Sequence, residues 1–520
     1  MTGSLLPPMT YLWTAQQVSE TGLNRIAELL ALKLTTGDMV ALSGDLGAGK
    51  TTLARACLRA LLGDAGAEVP SPTFSIVQNY DTPRLFVGHV DLYRLNGEDE
   101  TFELGLDEML ARGALLVEWP SIARSLSAAN RLDIALSEAD SADARDIVMS
   151  GHGTWGPRLA RLEAMSAFLD DSGVDSGAGL RYLQGDASAR AYARATLNGR
   201  SVILMDGPRQ PDGPPVRDGL PYSQIAHLAE DVRPFVAVAN ALKVAGLSVP
   251  DIYHADLDQG FLLLEDFGDG VFGQELARGV SQAGLWQHGV DTLLAMRHVA
   301  MPASLPLPDG SAYVVPRQDR NALQIEAELL IDWYWPAVKG ATVTASARQD
   351  FLRIWNAIFD RILAQPAGWV MRDYHSPNLI SLSDRTGARR CGIIDFQDAL
   401  VGPAAYDLVS LLQDARVNVG TLLESQLLTY YCEHAAASDA NFDRAAFEFS
   451  YVALGAQRNT KILGIFARLA HRDGKPGYLC HVPRLWDYLD RNLQHPGLAA
   501  LKDWFGQHFP QAMRTIDSKA

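Results

Sequence analysis

Two unlike domains in one chain are what this sequence predicts: an α/β domain over residues 1–160, then a two-lobed α+β domain over 163–520. Three observations predict them. Apolar strand candidates alternate with helical periodicity in the first part, and a glycine-rich loop, GDLGAGKTT (44–52), joins the first such strand to a helix. A hairpin-rich stretch beginning at Leu180 gives way after about residue 270 to long helical patterns. Those patterns are interrupted by two loop-and-strand segments, MRDYHSPNLI (371–380) and CGIIDFQDAL (391–400).

The elements follow in order. DMVALSG (38–44) reads as a strand and Lys50 to about Leu62 as a helix. RLFVGHVDL (84–92) and GALLVEW (113–119) are further apolar strands, and RLDIAL and RDIVMSG complete the sheet. The acidic run EDETFELGLDE (98–108) reads as a solvated helix face. A helix is predicted through GPRLARLEAMSAFL, after which DDSGVDSGAG (170–179) breaks the pattern, so the domain boundary is placed near 160. NGR (198–200) is the turn of a hairpin in a small lobe of about 163–268, and the helical lobe takes about 269–520. PRQPDGPPVRDG (208–219) reads as an exposed loop.

Charge and composition set limits. The net charge is −16, and it divides evenly: residues 1–160 carry 12 Lys+Arg and 20 Asp+Glu, a balance of −8, leaving 33 and 41 for the rest, another −8. An acidic surface repels phosphate backbones, so free-standing nucleic-acid binding is not expected. No apolar run reaches the ~18 residues a membrane span needs, and the N-terminus lacks a basic region followed by an apolar core. Cys57, Cys391, Cys432 and Cys480 are too scattered for a zinc cluster or disulfide scaffold, and a cytoplasmic location is expected.

GDLGAGKTT fits G-x-x-x-x-G-K-[ST], so the first domain is expected to have the fold of a P-loop NTPase. Gly44, Gly47 and Gly49 let backbone N–H groups converge on phosphates, Lys50 balances their charge, and Thr51 is the expected Mg²⁺ ligand. Asp91 and Glu118 close two strands, where a carboxylate can hold metal or orient water. GDLGAGKTTL, SPTFSIVQNY (71–80), HVDLYRL, ELGLDE and VEWP, in this order, resemble the TsaE family of ATPases from bacterial tRNA threonylcarbamoyladenosine synthesis, over about residues 10–160. The resemblance implies ATP at Lys50, Thr51 and Thr52, Mg²⁺ at Thr51 and Glu118, a catalytic or metal-linked Asp91, and a switch-like segment around Thr73. It also implies TsaB- and TsaD-like partner proteins, which transfer threonylcarbamoyl to adenosine 37 of tRNA.

In RDYHSPNL, Asp373 and Asn378 stand five apart as in the kinase catalytic loop, and Asp395 follows in IIDF. Such a loop uses the first aspartate on the substrate hydroxyl proton and the asparagine and later aspartate on Mg²⁺ and phosphates. DYHSPNL, IIDFQDALVGPAAYDLVSLL and FLLLEDFGD (261–269) resemble the aminoglycoside/choline phosphotransferase superfamily. ILMDGP, RPFVAVANAL, MRDYH and QRNTKILGIFARL (457–469) are closer to its AmgK-like branch, anomeric kinases of N-acetylmuramate and N-acetylglucosamine. The likeness covers about 163–520 and implies that backbone groups near Glu265 face adenine.

The pattern departs from protein kinases in places. Met205 and Asp206 stand near the position of the usual strand lysine, and the glycine loop is reduced to GDASARAY (185–192). ATP phosphates are then expected on Ser188, Arg190 or loop N–H groups. His375 is expected to order the loop as a hydrogen-bond donor, Tyr406 and Asp407 to be structural, and Gln457 and Arg458 either to line the sugar cleft or to pack in the core. A choline, homoserine or aminoglycoside kinase, or a non-catalytic docking pseudokinase, is the alternative to an amino-sugar kinase.

Overall fold

DMVALS is buried along nearly its whole length, as a central parallel strand must be when helices cover both faces. The computed structural model describes residues 9–123, 126, 128–177, 179–183 and 190–516. In it this strand is β2 (Asp38–Ser43), parallel to both β5 (Gly113–Glu118) and β6 (Asn130–Glu138). Beyond β5 lie parallel β4 (Phe86–Asp91) and antiparallel β3 (Val77–Asp81); beyond β6 lie β7 (Ala144–His152) and β1 (Met9–Ser19). The order is β1-β7-β6-β2-β5-β4-β3. Helix α1 (Glu20–Lys33) starts where the Ser19 side chain accepts from the Gly22 N–H, and α2 (Lys50–Leu62) runs between left-handed glycines at 49 and 63. The acidic run forms a 3-10 turn and α3 (Leu106–Arg112), with Thr101 and Leu106 buried.

A second, antiparallel sheet has the order β13-β14-β10-β9-β8, from β8 (Arg181–Leu183), β9 (Ala191–Leu197), β10 (Arg200–Asp206), β13 (Ile252–Asp256) and β14 (Phe261–Glu265). Its β9–β10 turn has φ of 50° at Asn198 and 74° at Gly199, the conformation an Asn-Gly hairpin supplies.

Packing groups the chain differently from a division near 160. One compact unit comprises Met1–Pro208 and Ile252–Asp266, the other Arg209–Asp251 and Phe267–Ala520. The cause is α4 (Trp155–Asp171). Its Leu159, Leu162, Met165, Phe168 and Leu169 share one core with Leu29, Leu30 and Met149 and with Ala193, Val202, Leu204, Phe261 and Leu263 of the second sheet. Val202, Leu204 and Asp206 alternate onto one face of β10. Asp206 is therefore buried at 2% exposure, which a carboxylate tolerates only when paired. Arg161 donates from Nε at 2.9 Å and Nη2 at 2.6 Å, and Lys33 of α1 donates as well.

The second unit is mainly helical. It opens with the hairpin β11 (Pro215–Arg217) and β12 (Leu220–Pro221), α5 (Tyr222–Ile225) and α6 (Arg233–Val244). It continues through α7 (Phe272–Ala277), α8 (Gln282–Met296), the hairpin β15 (Leu305–Pro306) and β16 (Ala312–Tyr313), α9 (Arg320–Leu329), α10 (Trp335–Lys339) and α11 (Ala345–Leu363). Two strand pairs frame the segments 371–378 and 394–399: β17 (Ala367–Val370) with β20 (Leu400–Pro403), and β18 (Leu379–Ser381) with β19 (Cys391–Ile393). Then come α12 (Ala405–Leu412), α13 (Thr421–Ser438), α14 (Arg444–His471), α15 (Val482–Asn492) and α16 (Ala499–His508). The 28-residue α14 is the spine; a Cβ on its Gly464 would sit 2.3 Å from the Leu329 backbone, so the helices meet there only through glycine. Among the described residues no helix is long and apolar enough to cross a membrane.

Removing Asp206 tests the shared core. Asp206→Ala strands two cations that keep some solvent contact, 21% for Lys33 and 15% for Arg161. The expected cost is therefore about 2–3 kcal/mol, below the ~3–5 of a fully buried broken pair. A urea midpoint equal to that of the wild type would show that the cluster does not hold the unit together.

Candidate functional site

The phosphate loop is built by glycine geometry. Gly44, Gly47 and Gly49 take φ of 139°, 82° and 105°, and a Cβ on Gly44 would lie 2.3 Å from the Leu136 carbonyl oxygen. α2 starts at Gly49 without a side-chain cap, which leaves its first-turn N–H groups for an anion. Lys50 is buried and donates to the Gly44 and Asp45 carbonyls at 2.8 Å each. Its ammonium also lies 3.9 Å from the Trp119 ring centre. Burial lowers the lysine pKa, while Glu118, Asp91 and Asp45 act in the opposite sense.

Parallel register sets Asp91 opposite Glu118 at the ends of β4 and β5. Thr51 Oγ1 donates to Glu118 Oε2 at 2.9 Å. Asp91 accepts from Thr73 Oγ1 at 2.6 Å and from the Tyr93 N–H at 3.0 Å, which places Thr73 of the expected switch-like segment on the carboxylate. Thr52, one step along α2, lines a cavity of about 440 Å³ with Asn24, Arg55, Arg59 and Arg181. Three neighbours were not singled out from sequence. His89, fully buried, lies with Nε2 2.9 Å from Glu118 Oε1; Trp119 caps Lys50; and Arg145 donates to the Ala48 and Gly47 carbonyls at 3.2 and 3.3 Å. The one available signal was His89 itself, a polar residue inside an apolar strand.

In the second unit, β17, β18 and β19 bring together the two segments expected to be catalytic. Asn378 Nδ2 donates to the Asp373 carbonyl at 3.0 Å and lies 3.4 Å from Asp395 Oδ2. Asp395 sits at φ 59° and accepts from Gln397 Nε2 at 3.0 Å. Asp407 receives the Met371 and Arg372 N–H groups at 2.6 and 3.0 Å, fixing the chain just before Asp373. Burial outweighs those two bonds and pushes its carboxyl up to about 7. Asp414 grips the Ser376 N–H at 2.7 Å on the other side.

Other expectations meet the packing. His375 Nε2 lies 3.3 Å from the Asn378 amide nitrogen, which can only donate, so His375 accepts there rather than donates. Burial lowers its pKa. Gln457 and Arg458 are buried in α14, at 0% and 5% exposure; Gln457 is spent on the Leu323 carbonyl and Glu326. Tyr406 lies 3.5 Å from Lys461 Nζ. Asp206, near the usual lysine position, is engaged by Arg161 and Lys33. Glu265 ends β14 opposite Val202 of β10, and Arg190 immediately precedes β9. Ser188 lies outside the described residues.

Residues 17–147 match the family described as threonylcarbamoyl adenosine biosynthesis protein TsaE, and residues 179–447 the phosphotransferase enzyme family. The chain is 39% identical to the N-acetylmuramate/N-acetylglucosamine kinase of Caulobacter vibrioides, over 68% of this chain and 98% of that one. It is 34% identical to the tRNA threonylcarbamoyladenosine biosynthesis protein TsaE of Rickettsia conorii, over 30% of this chain and 85% of that one. The crystal structure of a choline/ethanolamine kinase family protein from Mesorhizobium loti aligns at 13% identity with a TM-score of 0.41, covering 66% of this chain and 97% of that one. The chain therefore belongs to the TsaE family through its N-terminal part and to the phosphotransferase enzyme family through its C-terminal part.

Proposed function

We propose that residues 1–160 form an ATPase serving the threonylcarbamoyladenosine modification of tRNA, and residues 163–520 a kinase that phosphorylates the C1 hydroxyl of N-acetylmuramate or N-acetylglucosamine. One observation supports the reading: the residues expected to handle phosphate cluster within single compact units, Lys50, Thr51 and Glu118 in one and Asp373, Asn378 and Asp395 in the other. In the first set, Lys50 balances terminal phosphate charge and Asp91 orients or activates the attacking water. In the second, Asp373 takes the sugar hydroxyl proton. Ser188, Arg190 and Glu265 are the proposed nucleotide contacts of the kinase half.

Mg²⁺ fits both sets. Mg²⁺ is commonly held by one or two protein oxygen ligands together with substrate phosphates. Thr51 with Glu118, and Asn378 with Asp395, supply the hard oxygen donors; the ion would offset phosphate charge during transfer. The ATPase half acts with TsaB- and TsaD-like proteins rather than by gripping tRNA, in keeping with the −16 net charge, and the setting is cytoplasmic.

Two outcomes follow. Lys50→Ala is expected to abolish ATP turnover by the N-terminal half and to leave sugar phosphorylation intact; titration with ADP beside both activity assays checks it, and unchanged ADP affinity and ATPase rate would sink the assignment. Asp373→Asn keeps the shape and loses the base. Sugar-1-phosphate formation, read as phosphorus coupling to the anomeric proton, should fall about 10²–10⁴-fold, or roughly 3–5 kcal/mol of barrier. Wild-type product phosphorylated at C6 would reject the anomeric reading.

A further inference from the structure

Arg372 immediately precedes Asp373 and holds φ of 67°, in the left-handed region that favours glycine over a side-chain-bearing residue. Its buried guanidinium reaches in two directions. Nη1 donates to the Ala226 carbonyl at 2.8 Å, and Nη2 pairs with Glu326 of α9. Glu326 also accepts from Lys461 Nζ at 2.7 Å and Gln457 Nε2 at 3.1 Å. Burial alone would raise the Glu326 pKa, but Lys461 and Arg372 outweigh it and hold the carboxyl at about 2. Glu326 is thus the common partner of the loop arginine, Lys461 and Gln457.

Ala226 belongs to a strap, residues 209–232, that includes the β11–β12 hairpin and α5. The strap is tied down at three further places. Ile225 and Ala226 pack on Ile325; Arg217 pairs with Glu328 at 2.7 Å; and the Ala229 N–H donates to Asp398 Oδ1 at 2.6 Å, three residues beyond Asp395. Both segments that carry the phosphoryl-transfer residues are therefore bonded to the same strap.

We propose that Arg372 and Glu326 are positioning residues of the kinase site: they latch the catalytic loop to the 209–232 strap, so that Asp373 is correctly placed only while the strap is docked. This rests on the assignment of Asp373 as the kinase base.

Arg372→Met breaks the latch yet leaves Glu326 opposite Lys461, so the buried charge stays balanced. In the full-length protein, kcat for amino-sugar phosphorylation should fall by about 10–100-fold with the KM for ATP little changed, the scale of a small misplacement of a catalytic group. Tryptic cleavage within 209–219, where Arg209 and Arg217 are the sites, should accelerate, and Arg372→Lys should recover much of the kcat. Should Arg372→Met not fold, Arg217→Ala loosens the strap without touching the loop; chymotryptic cleavage of the strap then reads its release, and kcat should again fall. Faster strap cleavage with wild-type kcat, in either variant, would overturn the proposal, as would a lowered kcat with cleavage unchanged. A wild-type enzyme inert toward every amino sugar would count against the kinase assignment instead, while the cleavage comparison between variants would still judge the latch.

Discussion

A buried charge has to be matched where it lies, and each working part of this protein depends on that constraint. Moving an ion out of water costs several kcal/mol even after the protein relaxes, and a partner left alone is more costly than none. Asp206 sits at the end of an otherwise apolar strand face because Arg161 and Lys33 converge on it. Glu118 is 2% exposed, with Thr51 on one oxygen and His89 on the other, so both of its oxygens are fixed by the protein. Glu326 plays the same part beneath the second catalytic loop, where two cations meet one carboxylate. These pairings add little net stability. They specify where a strand end or loop must be, and that is the requirement phosphate chemistry imposes.

The limits of reading the sequence follow from the range of the interactions. α2 was legible residue by residue, Lys50 to Leu62, because local glycines end it on both sides. The Asn198–Gly199 turn was legible for a similar reason: two φ values decide it. Strand α/β alternation and the two loop motifs likewise declare themselves over a dozen residues. β1 and α1 were passed over, since MTYLWTAQQVS breaks its own alternation where Gln17 takes φ 51°. The joint core of α4 was not legible at all. Its apolar spacing predicts one buried face; nothing local says that a second sheet, completed by residues 261–265, will cover it too.

Within the sites, the same division holds. Lys50, Thr51, Asp373, Asn378 and Asp395 were legible because the motifs expected to handle phosphate set them at fixed spacings, along one turn or across one strand pair. Their supports come from far along the chain. Glu326 lies 46 residues before Arg372 and Lys461 lies 135 after Glu326, and in the sequence each is one charged residue on an amphipathic helix. Gln457 illustrates the ambiguity from the other side: a polar residue in an apolar helix can face a ligand or satisfy a buried carboxylate, and here it does the latter.

The two phosphate sites solve one electrostatic problem by different means. In the first, a helix start, three left-handed glycines and a lysine concentrate positive potential on one loop, so charge neutralisation is nearly all local. That lysine is held by the Gly44 and Asp45 carbonyls and the Trp119 face. The second set has no lysine at the customary strand position, and the nearby Asp206 is fully occupied elsewhere. Around Asp373, Asp407 and Asp414 hold backbone N–H groups on either side, and Arg372 adds a third tether. The base proposed at Asp373 needs its loop held in one orientation. That requirement accounts for the density of buried polar contacts around residues 371–378 better than stability does, since an apolar replacement would hold the fold as well.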